Sequence, residues 1–189
     1  MERQHQPPPR HRGWTPRAGR GARLGAGEGA DAIWLAERGW TVTAVDVSPT
    51  ALSRHRQRAE QLGTDLPGRI TWIHADLTIW EPPISAFDLV TAQFLHLPAD
   101  EREQLFERAA NAVASGSTLL IVGHHPSDVH AGVGRPDWPE LYFTAENLVA
   151  TLGAGWTVAA SDTRARTLTG SDGTPATVHD TVLVARRTA

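Results

Sequence analysis

The 189-residue chain has no cysteine, which excludes disulfides, thiolate zinc centres and a cysteine nucleophile, and permits a reducing compartment. Lysine is absent as well, because all 18 basic residues are arginine. That excludes Schiff-base chemistry and the lysine of a Walker-type phosphate loop. No run of about 18 consecutive apolar residues occurs, so no transmembrane span is expected. A formal net charge of -3 gives no excess of either sign that would draw the chain to nucleic acid or anionic lipid. We therefore expect no nucleic-acid partner and no membrane partner, and a cytoplasmic location. Hydrophobic residues at 40% and charged residues at 21% are ordinary for a globular chain, and the length suits one domain.

Apolar residues are also missing locally. Residues 1 to 23 contain no Val, Ile or Leu, but do hold six arginines and four prolines. Such a stretch builds neither a core strand nor an amphipathic helix, so 1–23 is expected to be a disordered or atypical N-terminal segment. It has no apolar h-region and so does not read as a secretory signal. Trp14 is its single aromatic, which argues against a nucleic-acid-binding arm. One regular domain is expected from residue 24 to residue 189.

The domain opens on Leu24-Gly25-Ala26-Gly27-Glu28-Gly29-Ala30-Asp31. Glycines at alternate positions remove side chains where a backbone turns sharply toward a ligand, and a helix N-terminus follows. Ile33, Trp34 and Leu35 give the segment Asp31 to Arg38 an apolar side, and Gly39 stands where that helix would stop. Thr41 to Val47 then reads as a strand with Asp46 near its end, where a carboxylate can accept hydrogen bonds from two ribose hydroxyls. The spacing suits S-adenosylmethionine, and with Ala30 in the last place it also suits a dinucleotide.

Downstream, helix signals at Pro49 to Leu62 and Asp100 to Val113 alternate with strand signals at Ile70 to His74, Asp88 to Thr91 and Thr118 to Val122. Ser48 reads as an N-cap with Pro49 at the first helical position, and Asp100 as a cap answered by Glu103. Thr144 to Leu152 reads as a helix ending at Gly153. Trp156 to Ser161 and Thr177 to Ala185 read as a hairpin, so the sheet should finish with one reversed strand. The class expected is α/β, a Rossmann-like doubly wound and mostly parallel sheet with a C-terminal antiparallel hairpin strand. Trp34, Trp40, Trp72 and Trp156 are expected to be core residues.

The glycine loop, Asp46, the acid in Ala75-Asp76-Leu77 and the terminal hairpin together resemble the class I S-adenosylmethionine-dependent methyltransferases over residues 24 to 187. The runs at 25–36, Gln93-Phe94-Leu95-His96-Leu97-Pro98 and Gly123-His124-His125-Pro126-Ser127-Asp128 are similar to small stand-alone bacterial enzymes with a Methyltransf_25-like core, including tellurite-resistance and thiopurine types. The resemblance implies S-adenosyl-L-methionine as cofactor and a small-molecule methyl acceptor, with an O, N, S or metalloid nucleophile. It implies that Gly25, Ala26, Gly27 and Gly29 hold the methionine part, that Asp46 binds the ribose hydroxyls with Val47 also in the cofactor site, and that Asp76 with its neighbours Ala75 and Leu77 recognises the adenine. It places Gln93 and Phe94 along the methionine and sulfonium.

Loops at the carboxyl ends of the strands form the ligand crevice of such sheets, so His96, His124 and His125 are the candidate bases facing the acceptor. Adjacent strand residues point to opposite faces, so His124 and His125 should not share an ion with His130, and no metal is expected. The stretch Ala131 to Phe143, with Trp138 and Tyr142, suits either a lid or simple packing. The oligomeric state expected is monomer or homodimer.

The chain departs from the family before the first glycine. Arg23 stands where the family has an acid that helps fix the glycine loop and the methionine amino group, and residues 20–24 make a poor apolar strand. The abrupt change of composition beside Leu24 suggests that 1–23 is not the family's native N-terminus. Two alternatives stay open: an NAD(P)-dependent Rossmann oxidoreductase, disfavoured by Asp76, the hairpin and the lack of a Tyr-x-x-x-Lys pair, and a degenerate non-catalytic binding module, for which Arg23 is the evidence.

Overall fold

The computed structural model describes residues 17–27, 29–63, 65–129, 137–169 and 173–189. Seven strands form one sheet in the order β3-β2-β1-β4-β5-β7-β6. The elements run β1 (Arg20–Leu24), α1 (Ala30–Glu37), β2 (Thr41–Asp46), α2 (Pro49–Leu62), β3 (Ile70–His74), β4 (Phe87–Gln93), α3 (Ala99–Ala112), β5 (Val113–His124), α4 (Ala145–Thr151), β6 (Trp156–Thr169) and β7 (Pro175–Arg187). β1 to β5 pair in parallel, and β7 alone is reversed, antiparallel to both β5 and β6. The expected α/β class and its single reversed strand are both present.

β1 corrects the expectation for residues 20–23. Composition argued against a core strand there, yet Arg20–Leu24 is flanked by β2 and β4 near the middle of the sheet, with Ala22 and Leu24 fully buried. A central parallel strand is held by ladder hydrogen bonds on both edges, so its environment overrides weak local propensity. Its small residues also fit their neighbours: a Cβ on Gly21 would already lie 3.4 Å from the Trp40 ring. Residues 1–16 lie outside the described residues.

The helix ends follow local chemistry. Ser48 Oγ accepts from Ala51 N–H at 3.2 Å and Pro49 takes the first helical position, as expected. α3 differs, because Pro98 occupies its N-cap without a side-chain cap bond and Asp100 falls inside the first turn. There Asp100 and Glu101 still face the positive end of the helix dipole. α4 has a reciprocal capping box: Thr144 Oγ1 accepts from Asn147 N–H at 3.2 Å, and Asn147 Oδ1 accepts from Thr144 N–H at 3.1 Å.

Two apolar layers sandwich the sheet. On one side Leu105 and Phe106 of α3 and Leu148 of α4 pack with Leu119, Ile121 and Leu183. On the other, Ala32, Ile33 and Leu35 of α1 and Ala59 of α2 meet Val42, Trp40 and Leu89. Trp40 is buried, whereas Trp34, Trp72 and Trp156 are half-buried against these layers. The hairpin is longer than expected on both strands. β6 is an edge strand with no fully buried residue, so polar Asp162 to Arg166 are tolerated in it. No described helix is long and apolar enough to cross a membrane.

Candidate active site

The loop between β1 and α1 sits at the carboxyl edge of the sheet with positive φ at Gly25 (66°), Gly27 (49°) and Gly29 (65°). Ala26 N–H donates to Val45 O at 2.9 Å and Gly29 N–H to Ala26 O at 2.7 Å, which ties the loop to β2 and closes its turn. Asp46 is largely buried; Oδ2 accepts from Gly27 N–H at 2.6 Å and Oδ1 from Ser48 N–H at 2.8 Å. Its carboxylate thus links the loop to the α2 N-terminus, and each oxygen keeps a further lone pair for a ligand hydroxyl.

A histidine overlooked in the sequence holds the other side of the loop. His55 belongs to the buried stripe Leu52, His55 and Ala59 of α2, and its Nε2 donates to the Gly27 carbonyl. A Cβ on Gly29 would run into the His55 ring. The signal in the sequence was a histidine in phase with the apolar face of a helix, a position usually filled by packing alone.

Arg23 is buried beneath the same loop. Its Nε pairs with Asp31 Oδ2 at 3.0 Å, with side-chain exposures of 7% and 14%, and its Nη1 donates to Leu24 O. The charge reversal read from the sequence is therefore compensated inside the chain.

At the carboxyl ends of β2 and β3, Val47 is 63% exposed beside Asp46. His74 Nε2 donates to its carbonyl at 3.0 Å. Ala75 N–H donates to Asp46 O at 3.1 Å. Asp76 is exposed and caps its own turn, Oδ1 accepting from Thr78 N–H at 2.9 Å and from Thr78 Oγ1 at 2.8 Å. These bonds, the backbone one first, hold its carboxyl below the usual aspartate range against a small opposing effect of burial. The Leu77 side chain is turned into the core, which leaves only its backbone for the adenine contact that the resemblance implies.

At the end of β4, Gln93 is buried and its Nε2 donates to Thr91 Oγ1 at 3.4 Å. Phe94 takes a left-handed φ of 53°, an unusual conformation for a bulky residue, and its N–H donates to Val122 O at 2.8 Å. Its ring lies 5.0 Å from that of His124, which also meets His96 at 5.1 Å and Tyr142 at 5.9 Å. His124 Nδ1 is buried without a hydrogen-bond partner. The Arg166 guanidinium stands 5.6 Å from the Phe94 ring centroid and pairs with buried Asp180 at 2.5 Å. Neither of these two was singled out from the sequence: Arg166 lies beyond the strand expected at Trp156 to Ser161, and Asp180 reads as one polar residue in the alternation of Thr177 to Ala185.

His125 belongs to a different cluster. Its Nδ1 accepts from Ser127 N–H at 3.2 Å, and its ring lies 6.5 Å from that of His179, whose Nδ1 donates to Asp128 Oδ1 at 2.9 Å. His124 and His125 thus diverge as strand geometry requires, and no metal-binding group of His, Asp and Glu occurs among the described residues. His130 and residues 131–136 of the expected lid lie outside the described residues, while Trp138 is exposed and Tyr142 is packed. A groove of about 510 Å³ between α3 and α4, lined by Phe106, Leu148, Leu152 and Trp156 with Asp100 and Glu103, contains none of the expected site residues.

The loop itself fits a nucleoside-bearing cofactor. A Cβ on Gly27 would meet nothing closer than 3.9 Å, so the loop's outer face is open, with Asp46 and exposed Val47 beside it. An open backbone turn, an anchored carboxylate and an apolar side chain at consecutive strand ends suit a ribose with a planar base.

A doubly wound sheet with this strand order, a reversed β7 and a glycine loop at its carboxyl edge defines a Rossmann-like class, and the comparisons with known proteins identify the family. Residues 22–116 match the Methyltransferase domain family, and the chain belongs to it. An uncharacterised methyltransferase of Mycobacterium tuberculosis is 37% identical over 100 residues, 52% of this chain and 47% of that protein. The chain spans about half the length of the curated relatives it matches. A solved S-adenosylmethionine-dependent methyltransferase from Methanosarcina mazei shares the fold with a TM-score of 0.70 at 17% identity, covering 94% of this chain and 96% of that one. The N-methyltransferase NodS from Bradyrhizobium japonicum, solved with S-adenosyl-L-homocysteine, aligns with a TM-score of 0.66 at 17% identity over 89% of this chain and 78% of that one.

Proposed function

We propose that the chain is an S-adenosylmethionine-dependent methyltransferase acting on a small-molecule O, N, S or metalloid nucleophile, as a monomer or homodimer in the cytoplasm. The observation that carries this reading is the Asp46 carboxylate bonded to the Gly27 N–H, which joins the glycine loop to the carboxylate that would meet a ribose. Family membership supports it. The oxidoreductase alternative loses ground to the methyltransferase relatives, and the non-catalytic alternative loses its main evidence once Asp31 neutralises Arg23.

In this reading Gly25, Ala26, Gly27 and Gly29 hold the amino-acid end of the cofactor, Asp46 the ribose, and Val47, Ala75 and Asp76 border the base. Asp76, whose carboxyl Thr78 holds below the usual range, is ready to accept from an exocyclic amine. When bound, S-adenosylmethionine supplies a methyl group on a sulfonium that leaves as a neutral thioether. The chain's contribution is chiefly alignment, because in-line approach of the nucleophile dominates such a displacement. Gln93 and Phe94 form the wall beside the reacting centre. His96, His124 and Tyr142 line the acceptor side, and His124 takes the acceptor's proton at Nε2, since its Nδ1 is shut inside the protein.

Calorimetric titration tests the reading. S-adenosyl-L-homocysteine is expected to bind one to one and NAD+ not to bind, with Asp46→Asn weakening the former; binding of NAD+ alone would favour the oxidoreductase.

A further inference from the structure

The Gly27 backbone is gripped at both ends. Its N–H donates to Asp46 Oδ2 at 2.6 Å from the end of β2, and its carbonyl accepts from His55 Nε2 on α2. His55 is 5% exposed, so the donor side of this hydrogen bond is shielded from competing water although Gly27 itself is exposed. The ring is itself fixed from two sides: it rests against the backbone of Gly29, where a Cβ would collide with it, and it meets the Trp72 ring of β3 at 5.8 Å and 34°.

From this arrangement we infer that His55 is a positioning residue for the cofactor loop, acting through the Gly27 carbonyl to hold the loop in its binding conformation. The inference rests on the proposed S-adenosylmethionine site. Gly27 lies in the left-handed region and a Cβ on its outer side would meet only the Gly25 carbonyl oxygen, at 3.9 Å, so hydrogen bonds rather than side-chain packing hold its conformation. Asp46 fixes one end of the residue, but a single bond leaves rotation about it. The bond to His55 comes from another element and removes that freedom. A loop that holds its shape before binding does not lose the corresponding ordering entropy on binding.

The chemistry sets a second requirement. A carbonyl oxygen only accepts, so His55 Nε2 must carry a proton in both the neutral and the charged ring. Nε2–H is the tautomer the geometry demands. Gln is the conservative replacement because its amide retains a donor at similar reach, and Leu removes the donor while preserving much of the apolar bulk.

Titration with S-adenosyl-L-homocysteine on wild type, His55→Gln and His55→Leu, paired with apo melting temperatures, separates positioning from packing. We expect His55→Leu to bind about tenfold more weakly, the loss expected for one hydrogen bond of ordinary strength, and His55→Gln to stay within about threefold of wild type. Equal affinity in all three, or equal loss in both variants, overturns the proposal. Nitrogen-15 NMR of the wild-type imidazoles reads the same contact without any substitution: an Nε2–H tautomer for His55 supports it, and an unprotonated Nε2 overturns it even if the Leu variant does not fold. A wild-type chain that bears the Nε2–H tautomer yet fails to bind S-adenosyl-L-homocysteine would defeat the cofactor reading, and with it the role assigned to His55, while leaving the His55–Gly27 contact intact.

Discussion

Arg23 and Asp31 form an ion pair beneath the glycine loop, Nε to Oδ2 at 3.0 Å, with both side chains largely buried. The pair bridges β1 to the first turn of α1 and places a cation within the central strand without leaving its charge uncompensated. Removing only Asp31 strands the guanidinium. Asp31→Ala is expected to destabilise by about 3 kcal/mol, whereas Arg23→Met combined with Asp31→Leu should cost clearly less. Urea unfolding of the two variants checks the order.

Gly29 and His55 are expected to be coupled. A side chain at position 29 meets both the left-handed φ of 65° and the His55 ring. Gly29→Ala should therefore cost about 2 kcal/mol or more in wild type. In a His55→Ala background the collision is gone and only the backbone strain remains, so the same substitution should cost less. A double-mutant cycle by chemical denaturation measures the difference.

The acid limb of the stability profile carries a small contribution from Asp76. Its carboxyl titrates below the usual range because Thr78 donates to it from backbone and side chain. A folded value below the unfolded one stabilises the fold above about pH 4, and this is lost as pH falls through the folded value. Thr78→Val removes one donor and should move the Asp76 titration up toward the ordinary value. Carbon-13 NMR of the side-chain carboxyl follows it directly.

For His124 the expected signature is a split between binding and turnover. Phe94, His96 and Tyr142 surround it, and the proposed function puts this cluster on the acceptor side. With an acceptor that must lose a proton, His124→Ala should lower kcat by about 10²-fold or more while affinity for S-adenosyl-L-homocysteine changes little. His125→Ala should leave kcat near wild type, since His125 faces the Ser127, Asp128 and His179 cluster instead. Steady-state kinetics with an acceptor found by screening phenols, thiols and amines makes the comparison.

What could be read from the sequence was whatever depends on local chemistry. Pro49–Leu62 was legible from its cap and periodicity, Ile70–His74 from its β-branched residues, and the glycine loop with Asp46 from spacing. β1 was missed because Arg20–Leu24 has weak local propensity and acquires its structure from β2 and β4, which lie far along the chain. The Arg23–Asp31 and His55–Gly27 contacts were missed for a related reason: each joins residues whose proximity exists only after the sheet has formed. The half of β6 beyond Ser161 was missed because an edge strand tolerates the polar alternation that resembles a loop, whereas Thr177 to Ala185 already covered most of β7.

The central claim is that S-adenosylmethionine is held at the glycine loop and the carboxyl ends of β2 and β3. Amide chemical-shift mapping during titration with S-adenosyl-L-homocysteine tests it most directly. The account expects the largest changes at Gly25 to Gly29, Asp46, Val47 and Asp76. Changes confined to the groove between α3 and α4, or no saturable change at all, would contradict it.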